Sequence, residues 1–145
     1  MHIADEINGK PMLTIRGVGL PDRALAYLAT PYTHYKDGIE IAFREASRIA
    51  ALLLIAGVEI YSPIAHCHPL AIYGDINALD RDFWLNYQEQ FMLRCDLLII
   101  VEMDGWKDSI GMQHETDFFE RAKRPIFLLN PATMVMRRRP AEAAA

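Results

Sequence analysis

A doubly wound α/β sheet is the fold this sequence predicts, and three observations predict it. Short apolar runs at 24–29, 58–61, 97–103 and 125–129 have the length of buried strands. Segments between them repeat apolar residues every three or four positions, as an amphipathic helix does. The two patterns alternate along the chain. Parallel neighbours need a crossover, and the right-handed crossover is overwhelmingly favoured, so alternation implies helices wrapped on both faces of a parallel sheet.

Each element has its own justification. Ala24-Leu25-Ala26-Tyr27-Leu28-Ala29 reads as the first core strand. It ends at Thr30-Pro31, because proline lacks a ladder donor and restricts the residue before it. Ile39, Ala42, Phe43, Ala46, Ile49, Ala50, Leu53 and Leu54 give the next segment one helical apolar stripe, with Asp37 expected to cap its start and Gly57 its end. Val58-Glu59-Ile60-Tyr61 makes a second strand, and residues 62–69 are expected to form a loop. A helix is expected from about Asp80 to Arg94, burying Phe83, Trp84, Tyr87 and Phe91. Leu97 to Met103 is the clearest strand, almost continuously apolar as where both faces of a parallel sheet are covered. A loop, Asp104-Gly105-Trp106-Lys107, then leads to a helix beginning near Asp108 or Ser109, which is expected to bury Phe118, Phe119 and Ala122. Pro125-Ile126-Phe127-Leu128-Leu129 closes the pattern as a strand. The N-terminal Met12-Leu13-Thr14-Ile15-Arg16 is expected to add an edge strand. The expectation is thus one domain: an N-terminal extension over 1–23, a flavodoxin-like, mainly parallel sheet of four to five strands with helices on both faces over 24–131, and a loose tail over 132–145.

Composition narrows the function classes. With 145 residues, 52% of them apolar and 23% charged, the chain can bury a core without disulfides or a structural metal. Cys67 and Cys95 are too few for a disulfide framework and fit a reducing, cytoplasmic setting. Asp5, Glu6 and Lys10 interrupt the first ten residues, against a secretory leader. The longest apolar run, Ile49 to Val58, is half of what spans a bilayer, so no membrane partner is expected. Fifteen basic against nineteen acidic residues, net −4, argue against binding a nucleic-acid polymer. Arg137, Arg138 and Arg139 form the only basic run and read as a solvated or frayed terminus.

In a doubly wound sheet, ligands gather beyond the carboxyl ends of the strands, so the loops after Ala29, Tyr61 and Met103 are the ones to search. The best constellation there is Asp108-Ser109-Ile110-Gly111-Met112-Gln113-His114-Glu115. Free N–H groups at a helix start favour an anion, Ser109 adds a hydroxyl, and Gly111 permits close approach to the backbone. Glu115 lies one to two turns in, where it either points back at that ligand or is an ordinary solvated helix residue. His66 and His68, in His-Cys-His-Pro, suggest a metal. No third ligand pair has recognisable spacing, so none is expected.

Taken together, these segments resemble the nucleoside 2-deoxyribosyltransferase-like superfamily, which includes the 2′-deoxynucleoside 5′-phosphate N-hydrolases. Ser109-x-Gly111-x-x-x-Glu115 is similar to its catalytic motif, and Tyr27-Leu28-Ala29 to the strand carrying its active-site tyrosine. Tyr27-Leu28-Ala29-Thr30-Pro31-Tyr32, Ser62-Pro63-Ile64-Ala65-His66, Asp82-Phe83-Trp84, Cys95-Asp96 and Asp104-Gly105-Trp106 most resemble an uncharacterised bacterial and phage branch. The resemblance covers roughly 24–131.

It implies cleavage or transfer of an N-glycosidic bond in a small nucleoside or nucleoside 5′-monophosphate, with no cofactor and with a dimer or larger homo-oligomer. Glu115 would be the nucleophile and Tyr27 would orient it or the sugar, unless Tyr27 is simply a core aromatic. Where the resemblance leads one to expect an acid, about eight residues before Cys95-Asp96, the chain has Gln88. Asp82 or Asp80 is the alternative acid, with a helix cap as the competing role. Ser109, Gly111, Thr30, Tyr32, Thr33 and His34 are candidate substrate contacts. His66 is either a pocket wall or plain loop structure, and Trp106 either covers a base or packs. The N-hydrolases grip phosphate with a Gly- and Arg-containing loop after the first strand. Thr30-Pro31-Tyr32-Thr33-His34 stands in its place. A non-catalytic nucleotide-binding sensor is the second reading, and Gln88 is the feature that favours it.

Overall fold

The computed structural model describes the backbone of residues 3–7 and 10–13 and the whole of residues 20 and 23–140. Its centre is a five-stranded sheet built from β3 (Leu25–Ala29), β4 (Glu59–Tyr61), β5 (Leu97–Val101), β6 (Ile126–Leu129) and β7 (Met136–Arg138), in the order β4-β3-β5-β6-β7. The first four are parallel and β7 is antiparallel to β6. This is the doubly wound α/β architecture the alternating pattern implies.

Side-chain alternation splits the core in two. Ala26, Leu28, Leu97, Ile99 and Val101 face helix α1 (Ile39–Ile55), joining Ile49 and Leu53 from it. Tyr27, Ala29, Leu98 and Ile100 face the other way, toward Met92 of α3 (Arg81–Arg94) and Met112 and Phe119 of α4 (Ile110–Arg121). Helix α1 ends where Val58 N–H reaches Leu53 C=O and Gly57 N–H reaches Leu54 C=O. Gly57 sits at φ 94 there, a left-handed conformation that glycine adopts without steric cost. At the start, Gly38 occupies the cap position with no side-chain bond, so Asp37 is not the cap.

The sequence-based expectations need correction at five further places. Residues 62–69 are not a loop: they belong to α2 (Pro63–Tyr73), which Ser62 caps by accepting from Ala65 N–H at 3.2 Å. Ser-Pro is a helix-start signal, but the second proline, Pro69, lies inside the helix and made the segment read as broken. The buried face of α3 is Gln88 and Met92, while Phe83 and Tyr87 are exposed. In α4 the buried stripe is Met112, Glu115 and Phe119, and Ala122 is exposed. Met12 and Leu13 lie in β2 (Lys10–Leu13), which pairs with β1 (Ile3–Ile7) in a separate hairpin and not at the edge of the main sheet. Thr14, Ile15 and Arg16 fall outside the described residues.

The fifth concerns the C-terminal segment. Its residues 136–138 form β7, reached through a turn in which Asn130 Oδ1 accepts from Ala132 and Thr133 N–H. Arg137 is bidentate to Glu102 at 2.7 and 3.1 Å, and Arg139 pairs with Glu120 at 2.5 Å. Two of the three arginines are therefore tied down, not frayed.

Candidate active site

The winding reverses between β3 and β5, since β4 lies on one side of β3 and β5 on the other. A crevice opens beyond the carboxyl ends of two such strands, because their crossovers leave in opposite directions. Here it is a cavity of about 510 Å³ walled by the 30–35 loop, α2, α3 and the start of α4.

Three stripes bring side chains to it. From α4, Ser109, Gly111, Met112 and Glu115 line the wall. Ser109 Oγ caps this helix by accepting from Met112 N–H at 3.3 Å. A Cβ added to Gly111 would meet nothing within 4 Å, so the fold itself does not demand glycine there. From α3 come Arg81, Trp84, Leu85 and Gln88, at helical spacings of three and four. From α2 come Pro63, Ile64, Cys67, His68 and Ala71, again one stripe. Tyr27, Thr30, Tyr32, Thr33 and His34 complete the floor and rim.

Glu115 is the chemical centre. It is 8% exposed, between Met112 and Phe119 on the buried face of α4. Burial pushes its carboxyl up to about 8, against which the Tyr27 hydroxyl, a donor beside it, pulls down more weakly. The solvated-residue alternative for Glu115 is thereby excluded. Tyr27 is wholly buried against Tyr61 and Phe119, and burial first, then the Glu115 charge, raises its own pKa well above the ordinary phenol value. Its hydroxyl makes no hydrogen bond of good geometry, and neither does that of Thr30. The Thr30 hydroxyl, buried at the cavity without a partner, is a group that a bound ligand would satisfy.

Gln88 is engaged at both ends of its amide. Its Oε1 accepts from the Tyr61 hydroxyl at 3.0 Å and its Nε2 donates to Cys67 Sγ at 2.9 Å. Burial pushes the Cys67 thiol up to about 11, so it is no thiolate nucleophile at neutral pH.

Three of the expected site residues do not line the cavity. Asp82 is exposed in the first turn of α3, one position off the Arg81-Trp84-Leu85-Gln88 stripe, and the capping is done by Asp80, which accepts from Phe83 N–H at 3.3 Å. His66 is off the α2 stripe, exposed, with Nε2 2.9 Å from the Tyr87 hydroxyl. Trp106 lies in a 3-10 turn (Trp106–Asp108) and packs against the α3–α4 side of the core. Among the described residues no group of three or more His, Cys, Asp or Glu is arranged to hold a metal ion. Among them, too, no helix is long and apolar enough to cross a membrane.

Sequence reasoning missed His68, Arg81 and Trp84 as cavity residues. The Ser62-Pro63 cap was the signal for α2, and phasing α2 from it would have put His68 with Cys67 and Ala71.

Fold and site together define a doubly wound α/β protein with a desolvated carboxyl at its topological switch point. The chain belongs to the family described as a domain of unknown function, DUF1937, whose model matches residues 24–131. Among solved structures, the chain is similar to the 2-deoxyribosyltransferase of the psychrotolerant bacterium Bacillus psychrosaccharolyticus. The match has 18% identity over 74% of this chain and 73% of that one, with a TM-score of 0.47. No curated protein matches the chain.

Proposed function

We propose that the protein cleaves or transfers the N-glycosidic bond of a nucleoside, with Glu115 as nucleophile. The observation that carries this reading is the Glu115 carboxyl: buried, pushed up to about 8, beside the Tyr27 hydroxyl, and facing a cavity that also holds the unpartnered Thr30 hydroxyl. The similarity of Ser109-x-Gly111-x-x-x-Glu115 to a known catalytic motif supports it. In the first step a Glu115 carboxylate oxygen bonds to the anomeric carbon as the C–N bond breaks and its electron pair leaves with the base. Water, or a second base, then attacks the same carbon and releases the carboxylate. Tyr27 donates toward the carboxylate and orients it. Thr30, Thr33, His34, Ser109 and the backbone at Gly111 contact the sugar.

The cavity favours a neutral nucleoside over a 5′-monophosphate. Asp108 stands at the same wall as the α4 N-terminus, Asp104 beside it is neutralised by Lys36, and Arg81 is the one arginine or lysine among the lining residues. Phosphate sites need the opposite balance.

Incubation with nucleosides and their 5′-monophosphates, monitored for free base, tests the reading. Nucleosides are expected to be turned over in preference to the nucleotides. A 2-fluoro-sugar nucleoside is expected to leave a glycosyl mass adduct on the Glu115 peptide, and an adduct elsewhere overturns the assignment. The sensor reading is favoured by Gln88 alone and predicts binding with no base released.

A homo-oligomer in a cytoplasmic setting belongs to the same proposal. Ile72, Tyr73, Ile76, Leu79 and Phe83 are large apolar side chains left exposed within one short stretch of chain, Tyr73 at 91%, and Leu79 also lines the cavity. Cys67 and Cys95 are free thiols. A mass near 16.5 kDa by light scattering across micromolar concentrations would refute self-association.

A further inference from the structure

With Gln88 engaged and Asp82 outside the cavity, the proposed chemistry still needs a group to protonate the leaving base. The buried polar side chains contain one built for proton transfer. Tyr32 Oη is 2.7 Å from His68 Nδ1, and His68 Nε2 is 2.9 Å from Glu40 Oε2. His68 is 4% exposed and its ring stacks on Phe43 at 4.5 Å, so its orientation is fixed. Tyr32 and His68 line the cavity, whereas Glu40, on the first turn of α1, has a side chain 58% exposed. The chain of contacts therefore runs from the cavity, through a buried imidazole, to solvent.

We propose that Tyr32, His68 and Glu40 form a proton relay serving the leaving base and then the incoming water, a proposal that rests on the N-glycosidic reading of the site. A carboxylate only accepts hydrogen bonds, so Nε2 carries a proton in both states. When His68 is an imidazolium, Nδ1–H donates to Tyr32 and the phenol O–H donates into the cavity. As the C–N bond breaks, that phenol proton goes to the base and the Nδ1 proton goes to Tyr32. His68 is left neutral. Now the Tyr32 O–H donates to Nδ1, and its oxygen faces the cavity as an acceptor. When water attacks the glycosyl ester, Tyr32 takes the water proton and passes its own to Nδ1, restoring the imidazolium beside Glu40. The proton lent in the first half is recovered in the second, and no other co-reactant is needed. Tyr32 is the catalytic residue; His68 and Glu40 are positioning residues that act through it. The Tyr32 phenol, pushed up to about 12 mainly by burial, remains a neutral donor throughout the ordinary pH range.

The discriminating experiment compares two leaving groups in single-turnover base release by the full chain. One substrate is a purine nucleoside whose base departs as an anion unless protonated. The other is its N7-methylated cation, whose base departs neutral. Tyr32→Phe is expected to slow release from the first about a hundredfold, the scale of general acid catalysis, and from the second less than about threefold. Glu40→Gln, a change at an exposed side chain, is expected to give a smaller loss of about tenfold with the same preference for the methylated substrate. Equal losses on both substrates, or no loss on either, overturn the relay while wild-type turnover keeps the N-glycosidic reading intact. If the wild type cleaves neither substrate, that reading fails and the relay falls with it.

Discussion

The two sides of the sheet are built from alternate residues of the same strands, yet they do different work. On the α1 side, Ala26, Leu28, Leu97, Ile99, Val101, Phe127 and Leu129 meet Ile49 and Leu53 in an uninterrupted apolar layer. On the α3–α4 side the corresponding layer starts from Tyr27, Leu98 and Ile100, and it is broken by the buried side chains of Gln88 and Glu115. One side approaches the close packing that stabilises a domain, while the other keeps a carboxyl out of water at a cost that rises with pH. The contrast suggests a division of labour: a sealed face offsets the expense of an open one.

The largest expected effect breaks the open side. Glu115→Gln keeps the shape but removes the nucleophile, and turnover is expected to fall about a thousandfold or more, some 4 kcal/mol of barrier, in a steady-state base-release assay. The same substitution is expected to raise stability. A carboxyl held up to about 8 in the folded chain, against about 4.5 unfolded, costs nothing below pH 4.5. Its penalty grows by about 1.4 kcal/mol per pH unit from there to about 8 and is constant above. Urea unfolding of the wild type should therefore show stability falling across that window, and Glu115→Gln should remove most of the fall. By the same titration, kcat/KM for the N7-methylated substrate, whose base needs no proton from the relay, is expected to rise with pH and level off above about 8 if the ionised carboxyl attacks, whereas an acid role for Glu115 would give a decline.

The sealed side breaks differently. Leu53→Ala, at a fully buried position, is expected to cost about 2–5 kcal/mol of unfolding free energy while leaving the midpoint of the pH–rate profile in place. A shifted midpoint would mean that the two sides are coupled. Smaller in scale is Tyr27→Phe. It deletes a buried hydroxyl that lacks a well-formed hydrogen bond, so stability is expected to change by less than about 1 kcal/mol. The profile midpoint should move upward, because the donor that lowers the Glu115 pKa is gone. The smallest effect on folding belongs to Gly111→Ala. With open space for its Cβ, the helix is expected to gain up to about 1 kcal/mol, and substrate KM is expected to rise because the added methyl occupies cavity space.

The contrast between the two sides also explains what could be read in the chain. Strands β3, β5 and β6 were legible because Leu97-Leu98-Ile99-Ile100-Val101 and its neighbours are continuous apolar runs, and α1 because its stripe is clean. Helix α2 was obscured by Pro69, and the face of α3 by aromatics: Phe83 and Tyr87 look like core, yet Gln88 takes the buried position. In the site, the Ser109-to-Glu115 spacing was local and visible. The Tyr32–His68–Glu40 chain was not, because its contacts join residues 36 and 28 positions apart and exist only once α1 and α2 pack. Asp82 failed as a substitute acid for a geometric reason: six residues before Gln88, it projects about 120° around the helix from it.

The antiparallel strand β7 lies beyond the stretch shared with the family, which ends at residue 131. Its backbone pairs with the outer edge of β6, Ile126-Phe127-Leu128-Leu129, a run with neither charge nor proline. Arg138 then presents an exposed cation at the finished rim, beside the Arg137–Glu102 ion pair. The short last strand is thus a hem: it turns an adhesive border, which could recruit a strand from another chain, into one that repels such pairing.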